Sequence, residues 1–405
     1  MARTQRLSHS DEQRGNARQH ILNAIRMSGP IARIDIAAHT RASPATVTAI
    51  TADLIAAGLV EEVTPEAPAQ DAKRGRPRVA LKIRGEAHLI AGLKVSWNSI
   101  SVLITDFEGT ELVDYETPLG IGAQTVDDLC RSIVAALQDA CGQGGLRLDQ
   151  VSGVGVALAG LVDAPRNFVH WSSSLTERNV DLGSALESRL PCPVFIDNDA
   201  NLVAKAEHLL GVGRNVDNFV VITIEHGVGM GVVIDDKIYR GNRGCGTEFG
   251  HTKVQLEGAL CQCGQRGCLE AYVGDYALLR EANITNSRSE YSELSDLYNA
   301  VEEGDPVARS VLDRAGRMFA LGLANVINIF DPELIVLSGQ RLSLDFLRSD
   351  AVLEQMRQWI VQVDAPLPEI QVRNWDHQAW ARGAAAYAIE EVSIQSIREM
   401  TINAG

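Results

Sequence analysis

Residues 251–270 gather one imidazole and three thiols into a short stretch: His251, then Cys261, Cys263 and Cys268, followed by Leu269 and Glu270. Zinc prefers nitrogen and sulfur donors. Three cysteines and one histidine fill all four places of a tetrahedral ion and leave none for a catalytic water. The spacing therefore predicts a structural Zn2+ site. Gly264 and Gly267 within the run let the backbone curl around a small ion. The competing explanation, three thiols grouped by chance or for redox chemistry, accounts for neither the histidine nor the glycines.

Such a loop needs a scaffold, and composition bounds it. A chain of 405 residues exceeds one ordinary core and implies two or three domains. Hydrophobic residues at 45% with only 5% aromatics fit a soluble α/β protein. No run of 18 uncharged apolar residues occurs, and residues 1–6 lack the apolar centre of a signal peptide, so cytoplasmic residence without a membrane is expected. Cys130, Cys141, Cys192 and Cys245 are scattered and expected to stay reduced. Charge is uneven: residues 1–85 hold 13 Lys+Arg against 8 Asp+Glu in a chain of net charge −15. A mildly basic head sits on an acidic body, and only the head would accept phosphate.

The head, residues 1–85, reads as a winged helix-turn-helix. Residues 18–27 carry Ile21, Leu22 and Ile25 at helical spacing and end at Ser28-Gly29-Pro30. A second short helix is expected over residues 31–39, with Ile34, Ile36 and Ala37 inward. For the third, Ser43 is the N-cap, Pro44 the first helical residue and Gly58 the stop. Val47, Ile50 and Leu54 face its core. Ser43, Ala45, Thr46, Thr48, Ala49 and Thr51 are left to meet a major groove. An ordinary three-helix bundle is the plainer alternative. Residues 59–63 and 78–83 alternate as the two strands of a wing. Between them Lys73-Arg74-Gly75-Arg76-Pro77-Arg78 makes a narrow cationic tip, in which Arg74, Arg76 and Arg78 suit an A/T-rich minor groove.

The body has two similar halves. Residues 89–95 and 100–106 are strands joined by a turn, followed by a third strand, a helix over 126–141 and a buried strand over 151–160. Residues 218–224 and 228–234 repeat the strand, turn, strand pattern. A hairpin opening each half suggests a duplicated fold with a cleft. The expected boundaries are 86–200 for a first α/β lobe, completed by a helix over 378–400, and 201–377 for a second.

Four pieces then identify a resemblance: Asn198-Asp199-Ala200-Asn201, Glu248-Phe249-Gly250-His251, the cysteine run through Glu270, and Asp331-Pro332-Glu333 with Ser338-Gly339. With these the chain resembles the ROK family of bacterial repressors, open reading frames and sugar kinases. The resemblance covers nearly the whole length. It implies a two-lobed, actin-like (hexokinase-like) ATPase-fold body that holds a sugar between its lobes. By the same resemblance Asn198 and Asp199 contact hydroxyls near carbon 6, while Glu248, His251 and Glu270 contact those around carbons 1 to 3. Acceptors in pairs suit a ring of hydroxyls. His251 would serve metal and sugar with its two nitrogens. Gly160, Gly227 and Ser173 are weaker candidates for the same pocket.

In the family's kinases the counterpart of Asp199 is the general base, and glycine-rich turns approach the phosphates. Here the first turn is Lys94-Val95-Ser96-Trp97-Asn98, and the second is Glu225-His226-Gly227-Val228-Gly229. Lysine replaces an acid, an indole replaces bare backbone, and a new carboxylate would repel a γ-phosphate. Asp199 is then a vestigial base, no residue is catalytic, and the sugar is an effector. The chain also departs from the family at Thr247, where glycine is usual, at Ser174-Leu175-Thr176-Glu177-Arg178, and at Ala49. The expectation is a sugar-responsive repressor of carbohydrate uptake or breakdown genes, binding operator DNA as a homodimer or dimer of dimers. The alternative is an ATP-dependent sugar kinase that retains a DNA-binding head.

Overall fold

The computed structural model describes residues 9–64, 79–120, 122–285, 291–339, 346–361, 366–374 and 378–403. The chain divides into two compact units, Met1–Ala157 with Ser173–Ile196 and Ala384–Gly405, and Leu158–Ser172 with Asp197–Gly383.

In the first unit, helix α1 (His9–Ser28) buries Ile21, Leu22 and Ile25, and Gly29 turns the chain at φ 67°. Strand β1 (Ile31–Ala32) and helix α2 (Arg33–Thr40) follow, then α3 (Pro44–Ala56), β2 (Val60–Val63) and β3 (Ala80–Ile83). Ser43 caps α3, accepting from Thr46 N at 3.1 Å, and Pro44 opens it. The strands form one antiparallel sheet in the order β1-β3-β2, with Val60 opposite Ile83 and Ile31 opposite Leu81. Residues 31–32 are thus paired in a strand before α2 begins, so Ile34 lies on the outside of α2 at 66% exposure and Ile36 alone of its residues is buried. Thr51 also departs from expectation. One turn after Val47 and one before Leu54, it shares their face, is fully buried, and accepts from Arg33 Nε at 3.1 Å. It is not available to DNA. Lys73, Arg74, Arg76 and Arg78 lie outside the described residues.

The first unit continues with β4 (Leu89–Val95), β5 (Ser99–Asp106) and β6 (Glu111–Pro118), an antiparallel meander, and then α4 (Val126–Gln143) and β7 (Val151–Leu158). The hairpin β8 (Gly160–Asp163) and β9 (Phe168–Ser172) packs in the second unit, whereas the sequence-read boundary placed it in the first lobe. After α5 (Leu182–Glu187), β10 (Val194–Asn198) completes a five-stranded sheet in the order β10-β7-β4-β5-β6. The glycines of β7 have a packing reason. A side chain at Gly155 would lie 1.9 Å from the Ala384 carbonyl, so only bare backbone lets the C-terminal helix settle on that strand. That helix also holds α1: Arg26 is buried, donates to the Phe107 carbonyl, stacks 4.5 Å over the Phe107 ring and reaches Ser393, while Arg18 bonds Asp53 and Thr401.

The second unit holds α6 (Asp199–Leu210), β11 (Phe219–Ile224), β12 (Val228–Ile234) and β13 (Lys237–Ile238), then α7 (Glu270–Val273), α8 (Asp275–Thr285) and α9 (Leu294–Glu302). The long α10 (Pro306–Phe330), β14 (Leu334–Gly339), α11 (Asp350–Trp359) and β15 (Glu369–Asn374) follow; α12 (Ala379–Asn403), which from Ala384 onward is the C-terminal helix of the first unit, ends the chain. Every residue of β11 is buried; it pairs antiparallel with β12 and parallel with β14, which pairs parallel with β15. The order β13-β12-β11-β14-β15 repeats that of the first sheet, strand for strand in chain order. The duplication read from the two hairpins is therefore present in the topology. Phe319, Ala320, Leu323 and Ala324 put α10 into the core against β11, β14 and the 249–273 segment. Among the described residues no helix is long and apolar enough to cross a membrane.

Candidate functional site

The second unit holds two neighbouring polar clusters. In the first, the loop from His251 to Cys268 is folded by its own backbone: Cys261 N donates to Gln265 O, Gly264 N to Cys261 O, and Leu269 N to Thr252 O. Gly267 adopts φ 76°, and a side chain there would stand 1.7 Å from the Gln255 carbonyl, so this turn requires glycine. The loop brings His251 Nδ1 within 3.7 Å of Cys261 Sγ, and Cys263 Sγ within 3.7 Å of Cys268 Sγ. The four donor atoms all lie within 4.8 Å of one another. Nitrogen and sulfur donors at about 2.0–2.3 Å from a tetrahedral centre stand about 3.5–3.8 Å apart, so donor types and spacing both fit a closed metal site. Lys253 Nζ, 2.9 Å from Cys268 Sγ, adds a positive charge beside the thiols. His251 turns Nδ1 to the cysteines, which leaves Nε2 for another partner.

The second cluster is acidic. Asn198, the last residue of β10, caps α6: its Oδ1 accepts from Ala200 N at 2.9 Å and Asn201 N at 3.4 Å, and its Nδ2 donates to Gly160 O at 3.0 Å. Its amide is thus largely committed to the fold, with one N–H left over. Asp199 is half-buried at the first helical position. Glu248 is reached by solvent yet surrounded by enough protein that desolvation, followed by the charges of Asp199 and Glu270, pushes its carboxyl up to about 7. Asp199, Glu248 and Glu270 therefore share one electrostatic environment. Glu270 is buried and joins the two clusters. One oxygen accepts from Val228 N at 3.2 Å, and the other lies 3.3 Å from Cys261 Sγ and receives Tyr276 Oη at 3.4 Å. Gly227 is bare backbone against this carboxylate, since a side chain there would come within 2.9 Å of Glu270 Oε2.

Of the residues read from sequence, Asn198, Asp199, Glu248, His251, Glu270, Gly160 and Gly227 all fall in this unit; Ser173 belongs to the first, where it is exposed. Sequence reasoning missed three contributors. Asp197, fully buried, accepts from Asn198 N at 2.7 Å, Asn201 Nδ2 at 3.1 Å and Arg240 Nε at 2.8 Å, and so fixes the turn that carries Asn198 and Asp199. Tyr276 touches Glu270 and Cys261, and His226 meets Gln262 of the cysteine loop at 3.3 Å. The signal for Asp197 was present in its place beside Asn198-Asp199; nothing in the sequence ties it to Arg240. In the first unit, Lys94 is buried within β4, and Trp97 is 61% exposed in the turn after it.

The ROK family model matches residues 91–391. The chain is 29% identical to the xylose repressor of Bacillus subtilis over 78% of its own length and 80% of that protein. It is 25% identical to the DNA-binding transcriptional repressor Mlc of Escherichia coli over 93% and 94% of the two chains. Its structure is similar to that of a ROK family transcriptional regulator described as a homologue of the E. coli MLC protein, with TM-score 0.80, 27% identity and coverage of 98% of this chain and 100% of that one. A ROK glucokinase from Streptomyces griseus, in complex with glucose and AMPPNP, matches with TM-score 0.63 and 29% identity over 74% of this chain and 99% of its own. The body thus has the actin-like, hexokinase-like α/β fold, and the chain belongs to the ROK family.

Proposed function

We propose that the chain is a sugar-responsive, DNA-binding transcriptional repressor of carbohydrate uptake or breakdown genes. Its effector is a sugar or sugar derivative, bound without phosphorylation. The reading is carried by the acidic cluster of Asp199, Glu248 and Glu270, tied through Glu270 and Cys261 to a four-donor metal loop. Such acceptors suit a ring of hydroxyls. A structural Zn2+ on His251, Cys261, Cys263 and Cys268 would fix that loop and supply no chemistry to a substrate. Relatives named as xylose repressor and as transcriptional repressor Mlc support the regulatory reading.

The helix-strand head of residues 9–83 acts as a winged helix-turn-helix. Helix α3 presents Ser43, Ala45, Thr46, Thr48 and Ala49, all exposed, to the major groove, and Arg74, Arg76 and Arg78 serve the minor groove. A homodimer or dimer of dimers places two heads on one operator in the cytoplasm. Against ATP turnover stand Lys94 and Glu225, where the family's kinases carry phosphate turns. The kinase reading retains one specific support, Asp199 beside a body similar to that of a glucokinase. A coupled ADP-release assay with excess D-glucose, D-xylose or N-acetyl-D-glucosamine separates the two. Repression requires no turnover above background, and release abolished by Asp199→Asn establishes the kinase.

A further inference from the structure

Eight described residues other than glycine have positive φ, and Thr247, at φ 70°, is the only one with a β-branched side chain. That conformation brings Cβ against its own backbone, and threonine avoids it unless its surroundings impose it. Here they do. Thr247 Oγ1 stands 2.8 Å from the Met230 carbonyl of β12 and 2.6 Å from that of Gly246, so its one proton has an acceptor on either side. Its own carbonyl accepts from Phe249 N at 2.7 Å, closing a three-residue turn with Glu248 at the apex (φ −71°, ψ 60°). On the other flank Gly250 lies flat against β12, where a side chain would come 2.2 Å from the Val228 carbonyl. Glu248 is therefore held between two fastenings to one strand. That strand's Val228 N–H is in turn bound by Glu270.

We infer that Thr247 is a positioning residue for the effector. Its hydroxyl anchor and left-handed backbone set the direction of the Glu248 carboxylate toward Asp199 and Glu270, and with it the affinity for sugar. The inference rests on the sugar-binding reading above. The test pairs crystal structures with calorimetric titration of the full-length, zinc-loaded protein and its Thr247→Val, Thr247→Gly and Thr247→Ser variants. The probes are D-glucose, D-xylose and N-acetyl-D-glucosamine. Thr247→Val keeps the shape and loses the hydroxyl, Thr247→Gly relieves the backbone and loses the hydroxyl, and Thr247→Ser keeps the hydroxyl. Val, strained and without its anchor, should displace the Glu248 carboxylate by about 1 Å or more and raise Kd about tenfold, the worth of one hydrogen bond to a positioned group, with metal content unchanged. Ser, which keeps the hydroxyl, and Gly, which takes the left-handed backbone without strain, should stay within about twofold of the parent, a rescue that general destabilisation does not give. An unmoved Glu248 in the Val variant, or unchanged affinity there, overturns the proposal. If the parent binds none of the three sugars, the choice of effector class has failed, and the position of Glu248 in the variants still decides the role of Thr247.

Discussion

Replacing Arg240 by methionine isolates the ion pair beneath the acidic cluster. Asp197 is fully buried, and Arg240, 22% exposed on its side chain, reaches it at 2.7–2.8 Å through two nitrogens. Removing one partner of a buried pair leaves an uncompensated charge and costs about 3–5 kcal/mol. Asp197 keeps its bonds from Asn198 N and Asn201 Nδ2, and the arginine is partly solvated, so about 3 kcal/mol is the appropriate end of that range. For a unit of roughly 200 residues each kcal/mol moves the melting temperature by about 2–4 °C, giving a fall of about 6–12 °C. Calorimetry on Arg240→Met, on Asp197→Asn and on the double variant forms a cycle. Removing both charges should recover at least half of the loss, because no lone buried charge is left. A fall below about 2 °C in Arg240→Met, or additive losses in the double variant, would refute the claim that this pair holds the Asn198-Asp199 turn.

Three further outcomes follow from local geometry. Cys268→Ser removes a buried donor from a four-donor set, so metal content measured by mass spectrometry should drop from one ion per chain to well below half, with loss of sugar response; full metal retention would exclude Cys268 as a ligand. Ser43→Ala deletes the cap of α3 and should cost about 1 kcal/mol in denaturant unfolding of the head, and no change would mean that Pro44 alone sets the helix start. Burial pushes the Asp275 carboxyl up from 3.8 to about 6, against the opposing charge of His226, and its Oδ1 has no hydrogen-bond partner among the described residues. A raised acid pKa gives stability that is complete below pH 3.8 and lost as pH rises through about 6. The melting temperature of Asp275→Asn should therefore rise relative to the parent between about pH 4 and pH 6 and stay ahead by a constant margin above that, and a difference independent of pH would contradict the assignment.

What was legible in the sequence had short-range causes. His251 and the three cysteines lie in one loop whose glycines announce its turns, and Ser43-Pro44 marks the start of α3 by capping chemistry alone. The paired hairpins pointed to a duplicated fold because alternation and turns are local, while the strand order that the two sheets share rests on crossovers the sequence does not spell out. One failure was local: Thr51 lies one turn from both Val47 and Leu54 and shares their buried face, which its polar type obscured. The others were tertiary. Ile34 looked like core until residues 31–32 were drawn into the sheet with β3. Asp197 and Arg240 are far apart in the chain, and no pattern predicts their meeting. Thr247 was visible as a departure from the family, but its left-handed backbone appears only once β12 lies beneath it.

The measurement that bears most directly on the repressor reading is fluorescence anisotropy of a labelled fragment from upstream of the gene for this chain, titrated with the protein in the presence and absence of neutral sugars, amino sugars and sugar phosphates. A sugar-responsive repressor gives salt-sensitive, sequence-specific binding whose curve is shifted by one class of sugar without release of ADP. Specific binding indifferent to every sugar, or no specific binding together with sugar-dependent ADP release, would contradict that reading.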